Sequence, residues 1–221
     1  MKTFFSIFLF TTLISFVSVT TGCKNSPTES SDQSNYDSSK VRVMKPNIYL
    51  YPKTKCILSV KLAFPLGGNI IQSVPSYLNG WNIEVDTSGK IDQQYDYLFY
   101  ESETPNDYQY NAGWVVSRNT LSSFISANLL KIGFNEREVS DFLEYWIPRL
   151  TDHPFYIIYP QFADDIGKVI QLNISIPPEN VLRLFYVIRG SESNSTKLDI
   201  PTIPKFVRSG FVVVEWGVIL K

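Results

Sequence analysis

Apolar and polar positions change rhythm several times along this chain, and each rhythm predicts a different kind of segment. Phe4 to Val19 is an apolar run broken by Thr11, Thr12, Ser15 and Ser18, with Lys2 as the one charge ahead of it. From Lys24 to Lys40 the chain reads KNSPTESSDQSNYDSSK, with one aromatic and no aliphatic side chain, so it has almost nothing to bury. Patterning typical of a folded domain starts at Val43. Ile48-Tyr49-Leu50-Tyr51, closed by Pro52, predicts a short strand. Leu58, Val60, Leu62 and Phe64 alternate with Ser59, Lys61 and Ala63, and Trp81, Ile83 and Val85 repeat the period of two after the Asn79-Gly80 turn. Asp86 to Gly89 reads as another turn and Tyr95 to Tyr100 as a strand with apolar or aromatic residues on both faces.

The period then lengthens. Leu121, Phe124, Ile125, Leu129 and Ile132 fall at helical spacing, and Gly133 stands where a helix ends in a left-handed residue. Asn135 followed three residues later by Glu138 is the signature of a capped helix start. Val139, Phe142, Leu143, Trp146 and Ile147 supply its apolar stripe until Pro148. Strands resume at Phe155 to Tyr159, at Ile170 to Ile176, at Val181 to Ile188 and at Phe211 to Val214. The expected fold class is therefore α+β: a mainly antiparallel sheet or sandwich with a two-helix hairpin inserted over about 119–148. No repeat or linker divides residues 43–221, which read as one domain.

Composition narrows the function classes. The chain of 221 residues carries 20 basic and 21 acidic side chains, so it lacks the concentrated positive field that nucleic-acid binding needs. One His and two Cys are too few soft ligands for a zinc site, and no metal or cofactor is expected. No P-loop, G-x-G-x-x-G, G-x-S-x-G, H-E-x-x-H or C-x-x-C is present. His153, in Thr151-Asp152-His153-Pro154, reads as a loop or capping residue rather than a base.

The first segment reads as an address. Residues 1–22 are short and interrupted for a spanning helix, and they end in Gly22-Cys23. A Cys directly after small residues resembles the bacterial lipobox, although Thr20 stands where Leu is commonest. On this reading Cys23 is acylated, for instance by palmitate, and becomes the mature N-terminus. The alternative is a plain secretory signal in which Cys23 is incidental. Acylation leaves Cys56 without a partner for an intrachain disulfide. Residues 23–42 then form a disordered tether that holds the domain off the membrane. The expected location is the bacterial envelope, lipid-anchored and extracytoplasmic, at the outer membrane or cell surface.

Several segments taken together carry a family resemblance. They are Lys45-Pro46-Asn47-Ile48-Tyr49-Leu50-Tyr51-Pro52, Asn79-Gly80-Trp81, Tyr97 to Glu101, Tyr145 to Pro148, Val181 to Phe185 and Val213-Val214-Glu215-Trp216-Gly217. In this order they resemble a family of uncharacterised bacterial secreted or lipid-anchored proteins that open with K-P-x-I-Y-L-Y-P and close with V-V-E-W-G. Tyr100, where that family more often has Trp, and Val218 after Gly217 depart from the pattern. The resemblance implies an extracytoplasmic location and carries over no catalytic role.

Two sets of residues are candidates for a site. Glu101 ends an aromatic strand, Glu215 interrupts an apolar run, and Arg183 stands alone in another, so the three form a candidate buried ion cluster. They could be structural, with Arg183 satisfying both acids. Alternatively, Glu101 and Glu215 are the paired carboxylates of a glycan-directed hydrolase. The second set is aromatic: Tyr51, Tyr108, Tyr110 and Trp114 are candidate binding residues, with Tyr108 and Tyr110 in a polar loop that a core does not explain. The favoured function is a binding or envelope-organising module rather than an enzyme. Its partners are the membrane, through Cys23, and a glycan or protein.

Overall fold

The computed structural model describes residues 39–221, all within one compact unit. The signal segment, Cys23 and most of the expected tether lie outside the described residues. Ten strands and three helices follow one another: β1 (Lys40–Tyr51), β2 (Cys56–Ala63), β3 (Asn69–Val74), β4 (Trp81–Val85), β5 (Leu98–Pro105), β6 (Trp114–Ser117), α1 (Leu121–Ile132), α2 (Glu136–Trp146), β7 (Phe155–Phe162), α3 (Ala163–Val169), β8 (Gln171–Ile174), β9 (Asn180–Ser191) and β10 (Val212–Leu220). Seven strands form one sheet in the order β3-β5-β1-β10-β9-β7-β6, and β4-β2-β8 form a second. The α+β architecture and the two-helix hairpin are as the periodicity predicts.

Three layers result. On one face of the large sheet, Ile48, Leu50, Leu98, Val187 and Val213 meet Leu58, Val60, Trp81 and Ile83 of the small sheet and Ile166 and Val169 of α3. On the other face, Tyr49, Leu184, Tyr186, Val214 and Trp216 meet Ile125, Leu129, Phe142 and Trp146 of the α1–α2 hairpin. Central strands are thus buried on both sides, which is why β9 and β10 read as continuous apolar runs rather than alternations.

The pairing of β9 with β10 is parallel, while every other ladder is antiparallel. Parallel neighbours cannot share a tight turn. Residues 192–211 make the crossover as an irregular strap that packs Ile203 and Phe206 against the hairpin layer. Arg208 on this strap donates to Glu138 Oε2 at 2.7 Å and to the Gly133 carbonyl at 3.1 Å.

Helix ends follow the sequence closely. Asn135 and Glu138 exchange the reciprocal bonds of a capping box at the start of α2. Glu138 has no exposure, and it also accepts from Tyr51 and Arg208, so its charge is fully satisfied. Gly133 ends α1 at φ 123°, in the left-handed region.

Other boundaries differ from expectation. β1 begins at Lys40, inside the segment read as tether, because Val41 and Val43 are buried against the small-sheet layer. β5 begins at Leu98 rather than Tyr95, because Asp92 and Gln93 take positive φ in a turn that Ile91 and Tyr95 close. β3, β6 and α3 were not expected. β3 is an exposed edge strand with adjacent Ile70 and Ile71 in place of alternation, and β6 and α3 are too short to show a period.

Substituting Gly133 with Ala should destabilise the domain. A Cβ there would lie 2.6 Å from the Phe206 ring, and a positive φ disfavours any side chain. A loss of about 1–3 kcal/mol in urea unfolding is expected, from the combined strain and displacement of Phe206.

Candidate functional site

Period-2 alternation in β1 sends Ile48 and Leu50 to the small-sheet layer and Asn47, Tyr49 and Tyr51 to the hairpin side. Two of the latter are tied to α2. Tyr49 donates to Asp141 Oδ2 and Tyr51 to Glu138 Oε1, both at 2.8 Å. These carboxylates stand three residues apart on one helix face, so the strand and helix are pinned at two successive points. The Tyr49 hydroxyl also takes a long bond from Asn47 Nδ2 at 3.5 Å.

Just before this ladder, β1 is irregular. Its register with both neighbours shifts between Val43 and Asn47, and Lys45 sits at φ 54°, left-handed backbone that a non-glycine residue adopts at a cost. The bulge delivers Lys45 into an aromatic enclosure. Its Nζ lies 4.5 Å from the Tyr97 ring centre, 4.8 Å from Phe99, 5.5 Å from Tyr145 and 5.9 Å from Trp216. It donates to Asn47 Oδ1 at 2.8 Å and to the Tyr97 hydroxyl at 3.3 Å. Among the described residues no carboxylate pairs with it. Burial lowers its pKa to about 8, against the upward pull of Asp141 and Glu101.

Lys45 lies on the wall between two clefts. One, of about 360 Å³, is lined by Val74, Gln94, Tyr95, Asp96, Tyr97 and Phe99 beside the lysine. The other, of about 240 Å³, has Tyr97, Asp141, Glu144, Tyr145 and Arg149 around it. Sequence reasoning quoted Lys45 within a motif and gave it no role. The signal was a single Lys preceding Pro46 between apolar positions, where a strand rarely places a charge.

The expected three-member ion cluster divides. Arg183 Nε donates to Glu215 Oε2 at 2.5 Å, Tyr100 donates to Glu215 Oε1 at 2.7 Å, and Arg183 also reaches the Ile170 carbonyl at 2.8 Å. This group is buried between the two sheets, where desolvation and the Glu215 charge push the Tyr100 phenol well above its usual range. Glu101 is not part of it. It follows Tyr100 on β5 and faces the opposite side of the sheet, where Arg42 holds it by Nε at 2.9 Å and also through Nη2. Glu101 and Glu215 therefore cannot flank one ligand. The sequence showed which charges needed partners, and it missed Arg42.

The candidate aromatics also separate. Tyr108, expected on an exposed loop, is buried beneath the small-sheet layer and shares a hydrogen bond with Thr104 at 3.0 Å. Tyr51 is the staple to Glu138 described above. Tyr110 stacks edge-on with Tyr159, and Trp114 of β6 with Phe124 of α1. Both line surface clefts that meet at Leu198, and neither cleft contains Lys45. His153 is a surface residue that meets Glu192 at 2.9 Å. Among the described residues no cluster of ligating side chains could hold a metal ion, and no helix is long and apolar enough to cross a membrane. Comparison with protein-family models, curated proteins and solved structures finds no match to this chain.

Two outcomes test this geometry. Arg183→Met should cost about 3–5 kcal/mol in urea unfolding by leaving Glu215 buried and unpaired, while Arg183→Met with Glu215→Leu should recover most of the loss. For Lys45, the unfolded chain keeps its proton up to the ordinary value of 10.5, while the folded chain releases it at about 8. The unfolded state thus binds more protons between those values, so this residue's contribution to stability rises with pH across that window and is least favourable below pH 8. Lys45→Met should melt higher than the parent below pH 8, with the gap closing toward pH 10.5. A gap that does not change with pH would contradict the assignment.

Proposed function

We propose that this protein is a bacterial envelope lipoprotein, anchored through acylated Cys23, whose folded domain binds an envelope or extracellular glycan in the larger Lys45 cleft. The observation that carries the reading is that cleft. At about 360 Å³ it is within the range of small-ligand sites. Tyr95, Tyr97 and Phe99 give it flat apolar walls, and Gln94, Asp96 and Lys45 add convergent polar groups. Sugars ask for this combination, since their rings stack on Tyr while their hydroxyls need donors and acceptors. Strain at Lys45 supports the same reading, because a left-handed lysine is kept where its position matters. For the anchor, the support is the apolar run that ends at Gly22-Cys23. A hydrolase built on Glu101 and Glu215 gains no support from where those side chains point.

Binding of a panel of labelled neutral and acidic oligosaccharides to the full chain in vesicles tests the reading. Tyr97→Ala should weaken the best binder about tenfold or more, in line with the loss of one stacking platform and the Lys45 contact. Equal binding by parent and variant would refute the cleft as the site. Labelled palmitate should be incorporated by the parent and not by Cys23→Ser, and incorporation by both would remove the anchor.

A further inference from the structure

A partly buried ammonium with no carboxylate in direct contact is incompletely balanced, and folding leaves it so only at a cost. Lys45 has three N–H donors. Asn47 and Tyr97 take two, and among the described residues the third has no protein acceptor. The rings of Tyr97, Phe99, Tyr145 and Trp216 offset part of the lost hydration without neutralising the charge. The fully buried charges described here each have an ion-pair partner: Arg183 with Glu215, Glu138 with Arg208, Glu101 with Arg42. Half-buried Asp141 accepts from Tyr49 and pulls on Lys45 from a distance without pairing with it.

The two clefts at Lys45 differ in what they would accept. In the smaller one, Asp141 and Glu144 stand around the lysine and would repel a second anion. In the larger one the only carboxylate is Asp96, and it is already held by Lys90 Nζ at 2.8 Å and Arg137 Nη2 at 2.6 Å. The hydrogen bond from Lys90 keeps Asp96 ionised to lower pH than usual, so its charge stays engaged with these two cations. An anion entering the larger cleft therefore meets an unpaired cation and a neutralised acid.

We propose that the larger cleft takes an acidic sugar, whose carboxylate or phosphate pairs with Lys45 while its ring stacks on Tyr95 or Tyr97 and its hydroxyls meet Gln94. This rests on the reading of the cleft as the ligand site and adds the charge of the ligand. The ligand supplies the counter-ion that the fold withholds, so the acid should dominate discrimination between sugars of the same shape.

The titratable and charged groups around Lys45 are Asp96, Tyr97 and Glu101 on and before β5, Asp141, Glu144, Tyr145 and Arg149 on and after α2, and Tyr49 on β1. Burial raises both Tyr97 and Tyr49. Between about pH 6.5 and pH 9 the charge on Lys45 falls from nearly full to about one tenth.

The test is titration of the full chain in detergent with glucuronate, glucose 6-phosphate and glucose, followed by calorimetry. At about pH 6.5 the acids should bind at least tenfold more tightly than glucose, and either acid alone doing so identifies which anion the site prefers. Acid affinity should fall about tenfold by pH 9, and Lys45→Met should abolish the preference for acids. The pH arm uses the unmodified protein, so it stands even if the variant folds poorly. Glucose binding as tightly as the acids, or acid binding indifferent to pH, would overturn the charge assignment and leave the cleft as a sugar site. Binding of none of the three would overturn the sugar assignment itself.

Discussion

Leu182 to Ile188 of β9 and Phe211 to Ile219, which includes nearly all of β10, are out of water on both faces, so neither strand is stable without a layer on each side of it. One layer is a second sheet and the other a helical hairpin, and both are positioned by the same central strands. Side chains of alternate parity on one strand thus serve different neighbours. Val213 and Glu215 face the small sheet, while Val214 and Trp216 face the hairpin. A register slip of one residue would exchange the two sets and bring a buried Glu into the aromatic layer.

β1 shows how that constraint generates a site. Along its regular stretch, polar groups on the hairpin side are taken up by Asp141 and Glu138, and the face is fully satisfied. Only at the bulge does the alternation break, and there the strand offers a cation with no ion-pair partner among the described residues. The aromatic crowd around Lys45 comes from β5 and the turn before it, from β10 and from α2, so all of these must be in place before the enclosure exists. The turn that carries Gln94 to Tyr97 is itself held by the Ile91–Tyr95 bridge and by the ion pairs of Asp96 to Lys90 and Arg137.

How much could be read from the residues depended on how local the cause was. The α1–α2 hairpin was legible because Gly133, Asn135 and Glu138 specify its ends within a few residues and the apolar stripes specify its faces. Strands β2 and β4 were legible because one face of each is dry and the other wet. Edge strand β3 was not, since its partner β5 supplies the order that its own sequence lacks. The same division holds for the chemistry. Arg183 with Glu215 followed from lone charges in apolar strands, which neighbour each other in the sheet. Arg42, by contrast, looked like part of a polar leader, and the enclosure of Lys45 depends on residues some 50 to 170 positions away in sequence, which no local pattern reveals. Tyr108 misled for a related reason: a polar loop sequence can still turn one large side chain inward.

The crossover strap has a consequence in time. Because β10 lies between β1 and β9, the half-sheet β3-β5-β1 and the half-sheet β9-β7-β6 share no ladder until β10 arrives. In chain order it arrives after every other strand. Before that the β2–β8 ladder of the small sheet can already tie the two parts of the chain together, so what waits for the closing stretch is the union of the large sheet itself, whose central long-range ladders form last.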